Sequence, residues 1–197
     1  MKEYKYLGQI LSFADKTSKE LKVRRANGWK AFWAKKSIWR SKLKLSSKIR
    51  IFESLIIPVL TYRAQTWATT QEQARKLQTT QNAMLRSIMG IKLSDKTHLQ
   101  DIYRKTKVRL VGKVAKLLKF RYAGHTMRDT KLKWNYIMSS WVPHTGKRSR
   151  GHPRIRWSDE IFKEFGTSWR TKATDRQTWK GLVDAHAQKW AVEGAGG

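Results

Sequence analysis

The chain has 197 residues, a formal net charge of +29 from 43 Lys and Arg against 14 Asp and Glu, and no cysteine. The lack of cysteine excludes disulfides, a cysteine nucleophile and zinc sites built from thiolates. Hydrophobic residues make up 40% of the chain and include 10 Trp, which is enough for a folded core. So much positive charge on a folded chain predicts a polyanionic partner, with nucleic acid as the first choice.

The sequence disfavours membrane proteins and secreted proteins. No stretch approaches the ~20 apolar residues of a spanning helix, so no membrane partner is expected. Met1 is followed at once by mixed charge rather than by a signal peptide, which predicts a nuclear or cytoplasmic location. No metal site is expected, because the five histidines lie far apart in the sequence: His98, His125, His144, His152 and His186.

The first third of the chain passes from a strand-like run to helices. Residues 1–13 include the alternating, aromatic-rich run Y-K-Y-L-G-Q-I-L-S-F, which predicts a short strand or hairpin arm. Residues 17–39 have helical spacing, and Ser46 or Ser47 is predicted to cap a second helix that Pro58 ends or kinks. The residues expected to face the core are Trp29, Phe32, Trp33 and Trp39 in the first helical stretch, and Ile49, Phe52, Leu55, Ile56 and Val59 in the second.

The middle of the chain predicts three more helices. Thr70 and Gln73 have the spacing of a capping box, and Gly90 is expected to end the helix that follows. A shorter helix is predicted over 95–104 and a longer one over 108–122. The longer helix has a basic outer face, which we interpret as phosphate-contacting rather than merely solvated. Its members are Arg109, Lys113, Lys116 and Arg121.

A basic loop follows a further predicted helix over 132–141. Glycine and proline in P-H-T-G-K-R-S-R-G-H-P-R-I-R-W-S-D-E-I break regular structure, so its cations are expected on an exposed turn. Pro153 is predicted to open the next helix, with Asp159 and Glu160 at its positive end and Trp157, Ile161 and Phe165 anchoring it. The loop either binds phosphate or is only solvated. Its cations are Lys147, Arg148, Arg150, Arg154 and Arg156.

The last helix is predicted to begin at a cap made by Asp175. It has an apolar stripe through Trp179, Leu182 and Val183, and His186 on this stripe is interpreted as a hydrogen-bonded core side chain rather than a ligand. Residues 194–197 are predicted to be disordered. No constellation of catalytic residues is present: Asp159 and Glu160 point apart on a helix, and no P-loop or G-x-S-x-G motif occurs. No catalytic residue, metal or cofactor is therefore predicted for this chain.

Six segments, in order along the chain, resemble the C-terminal part of the endonuclease–reverse transcriptase of non-LTR retrotransposons. Three positions depart from that family's pattern. Arg63 and His152 stand where the family has glycine, which puts the local turns in doubt because glycine can supply a positive φ, and Tyr122 stands where it has tryptophan. The matching segments are Y-K-Y-L-G-Q-I, I-P-V-L-T-Y-R-A-Q-T-W, L-Q-T-T-Q-N-A-M-L-R-S-I-M-G-I, R-Y-A-G-H-T-M-R, G-K-R-S-R-G-H-P-R-I-R-W-S-D-E-I and A-T-D-R-Q-T-W-K.

The resemblance implies a fold and a role. It places Tyr6, Leu7 and Gly8 at the primer grip of a polymerase palm, and the helices after them in the thumb that holds a template–primer duplex. The palm, with its aspartates and Mg²⁺, would precede Met1, so no catalysis is expected from this chain alone. The expected fold is mainly α: a thumb-like helical bundle with an N-terminal β strand or hairpin remnant and a C-terminal helical subdomain. The domains are 1–16 as palm remnant, 17–105 as thumb, 106–193 as basic C-terminal region and 194–197 as tail.

The predicted function is therefore to hold nucleic acid, whether RNA, DNA or a hybrid duplex, by phosphate contacts and as a monomer, with no small-molecule substrate. Two alternatives stay open. One is a free-standing basic helical interaction protein that docks an acidic partner or chromatin. The other is an active polymerase or nuclease. The salt dependence of binding separates the first from nucleic-acid binding, and primer extension or nicking tests the second.

Overall fold

The computed structural model describes residues 3–6, 9–12, 16–129, 133–140, 151 and 155–193. Within these ranges the protein is mainly helical, with ten α-helices, two short 3-10 helices and one pair of strands. The strands are β1 (Glu3–Tyr6) and β2 (Gln9–Ser12). The helices are α1 (Lys16–Trp33), α2 (Lys36–Arg40), α3 (Leu45–Leu60), α4 (Gln71–Met89), α5 (Leu99–Thr106), α6 (Val111–Arg128), α7 (Trp134–Ser140), α8 (Asp159–Phe165), α9 (Trp169–Thr174) and α10 (Arg176–Glu193), with 3-10 helices at Ala64–Thr66 and Leu93–Asp95.

The two strands pair antiparallel at the start of the chain. Glu3 lies opposite Ser12 and Tyr6 lies opposite Gln9. Leu7 and Gly8, the other two residues of the predicted primer grip, lie outside the described residues. The interpretation of this segment as the remnant of a palm sheet stays a prediction.

Local sequence signals correctly predicted the start and the end of α4 and the start of α10. The Thr70 hydroxyl accepts a hydrogen bond from the Gln73 amide (3.2 Å), and the Gln73 side chain accepts one from the Thr70 amide (2.9 Å), which is the predicted capping box. Gly90 ends α4 with φ +70°, a conformation that glycine adopts without steric cost. Asp175 accepts from the amides of Gln177 and Thr178 at the start of α10, as predicted.

The predictions for α3 need three corrections. The helix begins at Leu45 with the extended residue Lys44 at the N-cap, so Ser46 and Ser47 lie inside the first turn and do not cap it. Leu45 packs against the core, which accounts for the earlier start. Pro58 lies inside the helix rather than at its end, since the helix continues to the buried Leu60, and a kink at Pro58 stays a prediction. Leu55, predicted to face the core, is exposed.

Other boundaries also differ from prediction. The short helix begins at Leu99 rather than near Asp95, since Lys96 has a left-handed conformation (φ +48°) that interrupts a continuous helix. Helix α6 continues to Arg128, beyond the predicted end near residue 122. Helix α8 begins only at Asp159, after non-helical residues 155–158, so Pro153 does not open it; Pro153 itself lies outside the described residues.

The buried side chains form two hydrophobic clusters that meet along α6. The first lies among α1 to α5 and includes Phe32, Phe52 and Met84, all fully buried. The second lies among α6, α8, α9 and α10. Val111 at the start of α6 belongs to the first cluster and Phe120, further along, to the second. One helix therefore connects both cores, while the predicted domain boundaries stay predictions.

Candidate nucleic-acid interface

Trp157 anchors the C-terminal end of the basic loop. Its indole N–H donates to the backbone carbonyl of Gln65 (2.6 Å), 92 residues earlier in the chain. Its ring meets Tyr122 edge-on, with 6.2 Å between ring centroids. Ile161 is fully buried, and Trp157 and Phe165 pack against the second cluster, so the predicted anchoring of this segment is confirmed. Three of the segments that carry the family resemblance thus meet at one point.

The turn that presents the Gln65 carbonyl has unusual backbone geometry. Arg63 has φ +61° and ψ +19°, directly before the 3-10 helix Ala64–Thr66. The resemblance put this turn in doubt, because Arg63 stands where the family has glycine. Arg63 nevertheless adopts the positive φ that glycine would supply. The other such position, His152, lies outside the described residues.

A cleft of 760 Å³ lies beside this anchor, between the start of α4, the first half of α6, and α8. Basic residues from all three helices line it: Arg75, Lys113, Lys116, Lys119 and Lys163. The cleft is also lined by Ile155, which is the first described residue after residues 152–154. The cleft and the end of the basic loop are therefore neighbours.

Two acids of α8 neutralise part of this basic wall. Glu160 lies 2.7 Å from the Lys119 ammonium and 3.5 Å from that of Lys116. Glu164 lies 3.2 Å from Lys116, and its other oxygen is 3.3 Å from Nε2 of His186. Asp159 instead accepts a hydrogen bond from the Arg156 amide (2.8 Å), so the adjacent acids have different partners. Lys116 does not lie on an open outer face, which corrects that part of the prediction.

Histidine 186 lies within the aromatic core, as expected of a core residue. Its ring centroid is 5.6 Å from those of both Phe120 and Phe165, and its side chain is only 16% exposed. Its contact with Glu164 connects α10 to the acidic side of α8. Among the described residues, no group of His, Asp and Glu side chains is arranged to hold a metal ion.

The structure distributes the predicted basic residues over several places. Lys113 and Lys116 share the cleft. Arg109 contacts Glu53 of α3 (3.4 Å), and its amide donates to the same carboxylate (2.6 Å). Arg121 is mostly exposed and lies 3.9 Å from Asp184 of α10. Arg156 is at the loop's anchored end, whereas Lys147, Arg148, Arg150 and Arg154 lie outside the described residues.

Sequence reasoning missed Arg75, Lys119 and Lys163. Lys119 is buried (2% exposed) beside Phe120, and nothing local distinguishes it from the exposed lysines of α6. Arg75 and Lys163 belong to α4 and α8, which reach α6 only through tertiary packing. One sequence signal could have indicated a basic neighbour of α8. Glu160 and Glu164 are four residues apart, which places two acids on one face of α8 where they can pair with a basic helix.

Every carboxylate whose side chain the structure describes has a partner inside the protein. Some pair with cations, as Glu20 does with Arg24 at 2.6 Å in a buried position. Others accept from backbone amides at helix starts, as Asp95 and Asp175 do. The described carboxylates are thus all partnered within the protein, while the large excess of cations has no matching acid in the chain. The surface field is expected to be positive over a wide area.

The chain is similar to a Caenorhabditis elegans protein named as an uncharacterized transposon-derived protein. The two share 28% identity over 194 residues, covering 92% of this chain and 70% of the worm protein. The match supports a transposon-related origin for this chain. No family model matches the sequence. No solved structure matches it. No helix among the described residues is both long and apolar enough to cross a bilayer.

Proposed function

We propose that this chain is a nucleic-acid-binding part of a non-LTR retrotransposon reverse transcriptase, and that it holds template–primer through phosphate contacts. The observation that carries the proposal is the basic cleft beside the anchored end of the basic loop. Arg75, Lys113 and Lys163 line the cleft, and Trp157 fixes the loop's end next to it. The transposon-derived relative and the family resemblance support the retroelement assignment.

Phosphate contact accounts for this arrangement better than base recognition. Lysine and arginine side chains on three separate helices can follow a backbone, whereas base readout requires a few side chains placed in a groove. The Glu160 and Glu164 carboxylates fix Lys116 and Lys119 in the wall, so these two lysines contribute mainly to its stability. We assign the phosphate contacts of the cleft to Arg75, Lys113 and Lys163, which line it from three different helices, joined by the loop cations.

The test is the salt dependence of binding, measured by fluorescence anisotropy with a labelled RNA–DNA hybrid. If ~6–10 phosphates are contacted, affinity should fall ~10³–10⁵-fold between about 50 and 200 mM salt. The double variant Lys113→Gln/Lys163→Gln should weaken binding and reduce the salt slope by about 1 for each phosphate that is no longer neutralised. A matched control is Lys105→Gln/Lys180→Gln, since both lysines are exposed and outside the cleft.

Two results would contradict the proposal. A flat salt response would favour an acidic protein or chromatin component as the partner, and the control pair should then matter as much as the cleft pair. Primer extension or nicking by this chain with Mg²⁺ would contradict the proposed role, because that role includes no catalytic residue and no cofactor. RNA, DNA and hybrid duplexes of one length, compared in the same assay, identify the preferred nucleic acid.

A further inference from the structure

We infer that a second surface, remote in sequence from the cleft residues on α6 and α8, binds single-stranded nucleic acid by stacking an unpaired base on Trp33. This surface, the α1–α3 corner, comprises residues 29–48: the end of α1, all of α2 and the start of α3. The inference rests on the proposed function, since it names a second contact for the same class of ligand.

The α1–α3 corner is held together by buried contacts. The Trp39 indole donates to the carbonyl of Phe32 (2.7 Å), and the two rings stack at 5.2 Å, which fixes α2 against the end of α1. Lys48 donates to the carbonyl of Trp39 (2.8 Å) and ties α3 to α2. Phe32 and Trp39 are both buried, so the core of the corner is complete without Trp33.

Trp33 was predicted to face the core, but the structure leaves 47% of it exposed. Its indole is nearly parallel to that of Trp29, with 6.0 Å between centroids and 15° between planes, and it meets Phe32 edge-on. A large aromatic surface is therefore held in one orientation and open to solvent. A single exposed aromatic residue is ordinary by itself, so the residues around Trp33 decide whether it can serve as a stacking surface.

The surroundings of Trp33 are cationic. The sequence contains no Asp or Glu from Leu21 to Phe52. Lys30 lies one helical turn before Trp33, and Lys35 and Lys36 follow it closely. The exposed cations of the corner are Lys30, Lys35, Lys36, Arg40, Lys42 and Lys44. Positive side chains along a path, with an aromatic ring among them, are the arrangement by which proteins hold single strands: the cations contact phosphates and the ring stacks on a base.

An unpaired strand fits this surface better than a duplex does. Inside a duplex both faces of each base are covered by its neighbours, so an indole on a protein surface cannot stack on an internal base. The phosphates of a duplex would still meet the lysines, but Trp33 would then add nothing. The α1–α3 corner is therefore expected to prefer single strands to duplexes. This preference depends on Trp33, and the cleft does not share it.

The experiment compares a labelled oligothymidylate with a duplex of the same length, using Trp33→Ala, Trp33→Phe and the control Trp134→Ala. Trp134 is 78% exposed, on α7, next to the Lys133–Asp129 ion pair. Trp33→Ala should weaken oligothymidylate binding about 5- to 150-fold and leave duplex binding unchanged. Trp33→Phe should retain most of the affinity, and Trp134→Ala should match the unchanged protein.

Salt provides a second readout that does not depend on how Trp33→Ala folds. Lys35→Gln/Lys36→Gln should reduce the salt slope for oligothymidylate by about 0.7 for each phosphate that is no longer neutralised, while Trp33→Phe leaves the slope unchanged. The inference is overturned if Trp33→Ala weakens both ligands equally or neither, or if it affects only binding to phosphatidylserine vesicles. Failure of the unchanged protein to bind the duplex would instead overturn the proposed function.

Discussion

Arg63 adopts a left-handed backbone conformation (φ +61°) that costs a residue with a Cβ about 1 kcal/mol relative to glycine. We expect Arg63→Gly to stabilise the protein by about 0.5–1 kcal/mol, since glycine removes this strain. The measurement is the free energy of unfolding in urea. Arg50→Gly is the control: Arg50 is exposed in the middle of α3, so glycine there should destabilise by about 1 kcal/mol. Equal effects of the two changes would contradict the interpretation of the turn.

The buried Lys119–Glu160 ion pair is a second feature whose contribution to stability depends on individual side chains. The Lys119 side chain is 3% exposed and its ammonium lies 2.7 Å from the Glu160 carboxylate. Glu160→Gln should destabilise the protein by about 3 kcal/mol, because it leaves a buried charge without its nearest counter-ion. The double variant Lys119→Met/Glu160→Gln should recover most of that loss, since no buried charge remains. Urea unfolding of both variants checks this, and a double variant no better than Glu160→Gln would refute it.

At the scale of elements, α6 is packed tightly against α10. A Cβ on Gly124 would overlap the Trp179 ring, and that ring is fixed by a hydrogen bond from its indole to the Phe120 carbonyl (2.9 Å). Gly124→Ala should therefore destabilise by about 1–3 kcal/mol. The matched control is Gly181→Ala in α10, where a Cβ meets nothing, and it should stabilise by up to about 1 kcal/mol. Thermal unfolding of both proteins tests the pair; stabilisation by both changes would show that the helices can separate freely.

The cap of α10 is expected to depend on pH. Hydrogen bonds from the side chain and amide of Thr178, and then from the Gln177 amide, hold the pKa of Asp175 below its ordinary value. The unfolded chain therefore takes up this proton at a higher pH than the folded protein does. The cap's contribution is complete above the ordinary pKa of aspartate and is lost as the pH falls through the lower folded value.

Asp175→Asn isolates this effect because asparagine can cap the helix but does not titrate. Urea unfolding from about pH 6 to about pH 3 should show a larger loss of stability for the unchanged protein than for the variant. All other acids are common to the two proteins and cancel in the difference. Parallel curves would mean that Asp175 has the same pKa in both states.

The whole molecule has far more cations than its acids can neutralise. Since the described carboxylates are already paired internally, repulsion among the remaining cations opposes the compact state. We expect the unfolding temperature to rise with NaCl, because salt screens this repulsion, and to rise further with a polyanion such as heparin that binds the folded form. Differential scanning fluorimetry measures both. A falling midpoint in moderate salt would mean that attractive ion pairs dominate instead.

Several helix ends were predictable because their signals are local. The Thr70–Gln73 box, the Gly90 stop and the Asp175 cap each involve residues within a few positions of one another, so chain order alone brings them together. The start of α3 and its passage through Pro58 were not predictable in the same way. The partly buried Leu45 and the fully buried Leu60 extend the helix at its two ends beyond the residues that the serines and the proline predict.

The sequence by itself determined the mainly helical fold, the excess of positive charge, the tryptophan-rich core and the acids at the start of α8. Tertiary structure alone decided that Trp157 meets Gln65, that Lys116 and Lys119 face Glu160, and that Trp33 stays outside the core. The physical reason is that helix periodicity and caps depend on neighbours along the chain. Which lysine pairs with an acid, and which indole is buried in a core, depends on the packing of helices that are distant in sequence.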